Sequence, residues 1–306
     1  MTNPVSRDLR MIDSNMAGRS GYTSVFLIKG ERAAILDSGV SVNAKTIMQA
    51  VEAAGVEPEN VAYLALTHAH YDHAGGAHEL LRLLGKKGNH HVKIACSIKP
   101  SVYLSRADIC KKLIRSGRAT EGDLAGEIIP VAKGKFQVLD PGDVLDLGGI
   151  TIRGLDAPGH ANGHMAFYVP ELDFLYTGDA CGLLARTDDG SPVIAPSAFA
   201  PEYTHGPYLD TLRSIREMEV PYLGFGHFGI LEDPSEPLEQ AIKNAETTRE
   251  IVMDVHAGKR TKDSALESLE AEFGDALLSL YPEPERMLLV LSSMITGHLQ
   301  DLSKDK

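Results

Sequence analysis

THAHYDHAGG, residues 67–76, follows directly on the apolar run 61–66 and sets His68, His70, Asp72 and His73 within six residues. An apolar run of that length reads as a buried strand, so the donors fall on the loop at its carboxyl end, where a rigid sheet can hold them. Neutral imidazole and carboxylate are the ligands that borderline divalent ions take. Three His and one Asp in one loop therefore point to a metal cage, to be completed by further donors from elsewhere in the chain.

Upstream, the β-branched and apolar runs 22–29 and 32–37, joined by Gly30-Glu31, predict a hairpin that ends at Asp37-Ser38-Gly39. Ile47, Met48 and Val51 have helical spacing over 42–54, and Gly55 closes that helix. Downstream, Leu80, Leu81 and Leu84 predict a helix from Gly76 to Leu84, and 91–96 reads as another strand. The order so far is ββαβαβ. A more polar stretch at 99–131, helical in part, is the expected wall of the site.

Short strands then recur at 136–139, 143–147, 150–155, 164–169 and 173–177, punctuated by Pro-Gly and Gly-Gly. The stretch 182–207 reads as a loop, 208–219 as a helix and 221–225 as a strand. Two halves that each mix strands with helices predict an α+β fold with sheets packed face to face and helices outside. Past Asp233 only helical segments follow, at about 235–257, 262–273 and 285–302. In the last, Met287, Leu288, Leu291, Met294, Ile295 and Leu299 form an apolar stripe expected to pack on the main domain. The expected division is thus a domain at 1–233 and a helical cap or extension at 234–306.

Composition bounds the function. The 306 residues include 43% hydrophobic and 24% charged, ordinary globular values, and the net charge of −12 repels polyanions, so nucleic acid is not expected as a partner. The N-terminal MTNPVSRDLRMIDSN lacks the basic start and apolar core of a secretory leader, and no apolar run is long enough to span a bilayer. Cys96, Cys110 and Cys181, an odd number at unrelated spacings, argue against a disulfide framework. Cytoplasmic location without membrane contact is the expectation, and a homodimer is left open.

Three further donors each follow an apolar run: His160 in DAPGHANGH, Asp179 in LYTGDAC and His227 in GFGHFG. H-x-H-x-D-H followed by separate His, Asp and His, in this order, resembles the metallo-β-lactamase-fold hydrolase superfamily. The resemblance runs from Asp37 to His227. It implies an αββα sandwich of two mixed β-sheets flanked by helices, with a metal site at one edge. It also implies that His68, His70 and His160 hold one ion, that Asp72, His73 and His227 hold the other, and that Asp179 bridges them. Asp37 would brace the metal loop.

Two divalent ions are therefore expected, Zn2+ first, with Fe2+ or Mn2+ as alternatives. Such a pair can jointly hold a hydroxide formed near neutral pH, which would attack an acyl carbonyl, with Asp72 and Asp179 as the carboxylates of the catalytic centre. PGHANGHMAFYV and LYTGDA look like the glyoxalase II and thioesterase branch, so an enzyme acting on a small-molecule thioester, of coenzyme A or glutathione type, is the first expectation. The order of insertion, motifs and C-terminal helices is more loosely similar to the quinolone-signal response thioesterase. A lactonase or esterase shares the same letters. Further alternatives are a mononuclear iron oxidoreductase similar to persulfide dioxygenases and a signalling protein with a residual hydrolase site. His70, where the diiron flavoprotein branch resembles H-x-E-x-D-H, disfavours that oxygen-reducing branch. His164, Phe199, Tyr203 and His205 are the candidate substrate-binding residues.

Overall fold

The structure is a computed structural model that describes residues 6–304; residues 1–5, part of the stretch read above for a leader, lie outside them. Its contacts group the chain into two compact units. The first runs up to Asp156 and takes in Met165–Gly178, and the second comprises Ala157–His164 and the chain from Asp179 onward.

The first unit carries β1 (Leu9–Asp13), β2 (Ser24–Lys29), β3 (Ala33–Leu36), α1 (Ala44–Ala53), β4 (Val61–Ala65), α2 (Tyr71–Ala74), α3 (Ala77–Lys86), β5 (Lys93–Cys96), α4 (Ile98–Leu104), α5 (Ala107–Glu121) and β6 (Phe136–Val138). Then come β7 (Val144–Asp146), β8 (Thr151–Asp156), β9 (Met165–Val169) and β10 (Phe174–Tyr176). Strands β1 to β6 form one six-stranded sheet in sequence order. It is antiparallel from β1 to β3 and parallel from β3 to β6. The parallel part follows from its connections, since α1, α3 and the α4–α5 pair each supply the crossover that a parallel neighbour needs. This unit's part of a second sheet runs β10-β9-β8-β7, with antiparallel pairing between these strands.

Strand β2 shows how one short sequence serves two layers. Val25 and Leu27 point to the outer face and join Ile47, Met48 and Val51 of α1 and Leu80 and Leu84 of α3 in one buried cluster. Phe26, on the opposite face by the period of two, meets Phe174 and Tyr176 of β10 with ring centres 5.2 and 5.0 Å apart. These tilted aromatic contacts join the two sheets face to face. The expected hairpin at 22–37 and the helices after 42 and 76 are all present, while β1, with charges at Arg10 and Asp13, was not anticipated.

The second unit carries β11 (Leu183–Arg186), β12 (Pro192–Ala195), α6 (His205–Glu217), β13 (Tyr222–Phe225), β14 (Gly229–Glu232), α7 (Ser235–His256), α8 (Lys262–Leu277) and α9 (Pro284–Lys304). The segment expected as an uninterrupted loop at 182–207 instead opens with the antiparallel β11–β12 hairpin. Its turn is built by Asp189, which accepts from Thr187 Oγ1 at 2.5 Å and from Ser191 N at 3.0 Å. Helix α7 packs on β12 and α6, α8 on β11 and β12, and α9 on α7 and α8. Met287, Leu291, Met294 and Ile295 of the α9 stripe are buried. Among the described residues no helix is long and apolar enough to cross a membrane.

Candidate metal centre

In the first unit the loop after β4 is held by the end of β3. Asp37 is buried and takes the left-handed backbone conformation, φ 59°, which Asp tolerates better than most residues. Its Oδ1 accepts from Thr67 N at 2.8 Å, and its Oδ2 accepts from Tyr176 Oη at 2.7 Å and from His73 Nδ1 at 2.8 Å. Thr67 Oγ1 lies 3.0 and 2.9 Å from the two carboxylate oxygens and 3.0 Å from His68 Nδ1. A carboxylate only accepts, so the single Thr67 hydroxyl proton goes to Asp37 and Thr67 Oγ1 accepts from His68 Nδ1. Both His68 and His73 thereby carry their proton on Nδ1 and keep the Nε2 lone pair for a cation, the arrangement an outer carboxylate imposes on a metal-binding imidazole.

Ser38 adds a second clasp: its N and Oγ donate to His73 O at 2.7 and 2.8 Å. The His68 ring stands 4.4 Å from that of His70 and 4.3 Å from that of His73, centre to centre. Asp72 Oδ2 lies 3.9 Å from His73 Nε2. Tyr71 turns onto α5, where a Cβ at Gly117 would come within 2.6 Å of its ring. Helix α5, from the polar 99–131 stretch, thus packs on Tyr71 of the motif.

In the second unit His160 is presented by the tight segment Ala157–His164, closed by Ala157 N donating to His164 O at 3.1 Å. Gly159, at φ +119°, lets this segment lie on α6, since a Cβ there would collide with the Tyr208 backbone. His160 Nδ1 donates to Ser197 O at 2.7 Å, so Nε2 again bears the lone pair. Asp179 N donates to His164 Nε2 at 3.3 Å, and Ser197 Oγ donates to Asp179 O at 2.6 Å. His227 follows β13, and its carbonyl accepts from Leu184 N at 2.7 Å.

His160 Nε2 and His227 Nε2 stand 3.5 and 3.8 Å from the same oxygen, Asp179 Oδ2. Those separations exceed a hydrogen bond. They are close to the ~3.4 Å between neighbouring donors around a four-coordinate ion with bonds of ~2.0–2.1 Å. Buried imidazoles and a carboxylate at this spacing, with Nδ1 of His68, His73 and His160 bonded to protein, fit a divalent cation.

The remaining candidates divide. His164 is buried against the Asp179 backbone, so it braces that turn. Phe199 is half-buried and stands edge-on to His160, with ring centres 6.0 Å apart. Tyr203 is 1% exposed, and its hydroxyl shares a 3.0 Å hydrogen bond with His205 Nδ1. His205 is partly buried; burial, with Arg249 adding to it, pulls its pKa down to about 4. His298, which has no partner at ligand spacing in the sequence, packs its buried ring 4.8 Å from Tyr203 and 5.3 Å from His205. Thr67 and Ser197, which set imidazole tautomers, carry no sequence signal beyond a hydroxyl next to a motif or a backbone carbonyl far from one.

Two stacked sheets bearing His and Asp donors at their strand ends define a class of metal-binding α+β proteins. The family model described as the metallo-beta-lactamase superfamily matches residues 18–227, and the chain belongs to that superfamily. The metallo-beta-lactamase fold-containing protein ST1585 of Sulfurisphaera tokodaii is 28% identical over 257 residues, covering 82% of this chain and 89% of its own length. The solved structure of ST1585 covers 91% of this chain and 100% of its own at TM-score 0.64 and 24% identity, a likeness of fold. A hydroxyacylglutathione hydrolase of Pseudomonas putida is 29% identical over 170 residues, 51% of this chain and 52% of its own length. An atrochrysone carboxyl ACP thioesterase of Pseudocercospora fijiensis is 28% identical over 178 residues, 56% of this chain and 41% of its own length. The chain thus spans about half the length of these last two relatives.

Proposed function

We propose that the protein is a dinuclear metal-dependent hydrolase of small acyl compounds, thioesters first. The observation that carries this reading is the approach of two imidazole Nε2 atoms to one oxygen of Asp179 at 3.5 and 3.8 Å. In the proposed centre His68, His70 and His160 would hold one ion and Asp72, His73 and His227 the second, with Asp179 available to both. Bound Zn2+, Fe2+ or Mn2+ would supply Lewis acidity and a water acidified toward neutral pH.

The chain's own residues supply the rest. Asp37, Thr67 and Ser197 keep the Nδ1 protons of His73, His68 and His160 in place, so that each imidazole presents Nε2 without rearrangement. Asp72 and Asp179 would contribute negative charge to offset that of bound ions. A thiolate departs without help from a strong acid, which suits donors that are all committed to cations. The names of the hydrolase and thioesterase relatives support the same acyl class.

Elemental analysis of the purified protein together with hydrolysis of a panel of thioesters, lactones and esters tests this. Two ions per chain and anaerobic thioester cleavage are expected, with both ions weakened in Asp179→Asn. A single iron with oxygen consumption on a persulfide, or no cleavage of any acyl compound by metal-loaded protein, would overturn it.

A further inference from the structure

The 197–200 stretch controls the donor orientation of His160. Its Ser197 carbonyl accepts from His160 Nδ1 at 2.7 Å, its Ser197 hydroxyl donates to Asp179 O at 2.6 Å, and its Phe199 ring stands edge-on to His160. The same backbone lies directly against α9 at Gly297. A Cβ added there would overlap the Ala198 carbonyl oxygen and stand 2.8 Å from Ala198 C and 3.2 Å from Ala200 N.

Gly297 is buried inside a helix of 21 residues. Glycine in a helix interior costs about 1 kcal/mol relative to Ala, so local propensity argues against it. The close approach of the 198–200 backbone accounts for it. Farther along the same helix, Asp301 Oδ2 accepts from His205 N at 3.3 Å and Lys304 Nζ donates to Tyr203 O at 2.9 Å. Asp301 is itself held by Arg249 of α7 at 2.8 Å. The last helix therefore grips the 198–205 segment along its length, with the tightest contact at Gly297.

We infer that Gly297 is a positioning residue for His160. The absence of a side chain at 297 lets α9 press the 198–200 backbone into the place from which Ser197 O fixes the imidazole. The C-terminal helices thereby set the geometry of one metal ligand rather than serving only as a cover. The inference rests on the reading of His160 as a ligand.

The test is NMR of histidine-labelled, metal-free protein together with Zn2+ affinity from chelator competition. Wild type should show a slowly exchanging His160 Nδ1 proton. Gly297→Ala should lose or strongly shift that signal and weaken one of two Zn2+ ions by about tenfold or more, the usual effect of disturbing an outer ligand contact. Met253→Ala on α7, an exposed position in the same unit, should leave both readouts at wild-type values. A Gly297→Ala protein with an unchanged His160 signal and unchanged affinities overturns the inference. If that variant does not fold, Leu291→Ala, which opens a cavity on the buried face of α9, should shift the same signal, and an unshifted signal there is equally fatal. A wild type that binds no ion refutes the proposed function instead, while the His160 signal, which needs no metal, still decides the coupling.

Discussion

Asp37 carries more of the centre than its place outside the donor set suggests. Its carboxylate accepts from the Thr67 backbone and hydroxyl, from Tyr176 and from His73, and it is 1% exposed. Asp37→Asn would place an amide NH2 where either Thr67 N–H or the donors Tyr176 O–H and His73 Nδ1–H now point. Leaving such a buried network mismatched costs about 2–5 kcal/mol. Urea unfolding of the metal-free variant should show a clearly lower midpoint, and a wild-type midpoint would show that the network contributes little. The Asp in LDSG was legible in the sequence through its resemblance to a bracing strand-end residue. Thr67 was not, because its role depends on proton counting between two neighbours that only coordinates reveal.

Elements were legible where burial imposes a period. The runs that became β2 to β5 are apolar because both faces of that sheet are covered, and α1 and α3 repeat every three to four residues because one face meets it. Strands β11, β12 and β14 were missed because the Gly, Pro or Asp at or beside the ends of each reads as loop. Helix α9 was legible, yet what it holds was not: the cluster of Tyr203, His205 and His298 is brought together by tertiary packing alone. Burial holds the pKa of His205 at about 4 and that of His298 at about 3, with Arg249 lowering both and Asp301 opposing it at His205. Tyr203, pushed upward by burial, stays neutral. A histidine pKa depressed on folding means that the unfolded chain binds more protons below its ordinary value near 6.5. The stability is therefore complete above about pH 6.5 and is lost progressively as pH falls toward 3. Melting temperatures of metal-free protein should fall across that window, and His298→Leu should make the fall shallower. An equally steep fall in the variant would place the titration elsewhere.

At the scale of the molecule, the helices after Asp233 read from sequence as an extension, and their packing shows what removing them would do. Leu238, Ala241, Ala245 and Val252 of α7, Leu269, Phe273 and Leu277 of α8, and Leu291, Met294 and Ile295 of α9 are all buried. They belong to the same compact unit as Ala157–His164 and the chain from Asp179 onward, which carries His160, Asp179 and His227. Fully burying a large apolar side chain contributes roughly 1.5–3 kcal/mol, so losing the eight of these that are larger than Ala removes about 12–24 kcal/mol, as much as or more than the about 5–15 kcal/mol by which a domain is typically stable. A chain ending at Pro234 should therefore lose the cooperative melt of its second unit, and limited proteolysis should cut first within 157–164 and 179–233. The first unit supplies its own core from β1 to β6 and α1 to α5, so His68, His70, Asp72 and His73 should stay protected in the same digest. If the truncated chain instead melts cooperatively with 179–233 intact, the three helices are dispensable to that unit, and a role as a separable cover becomes the better account of them.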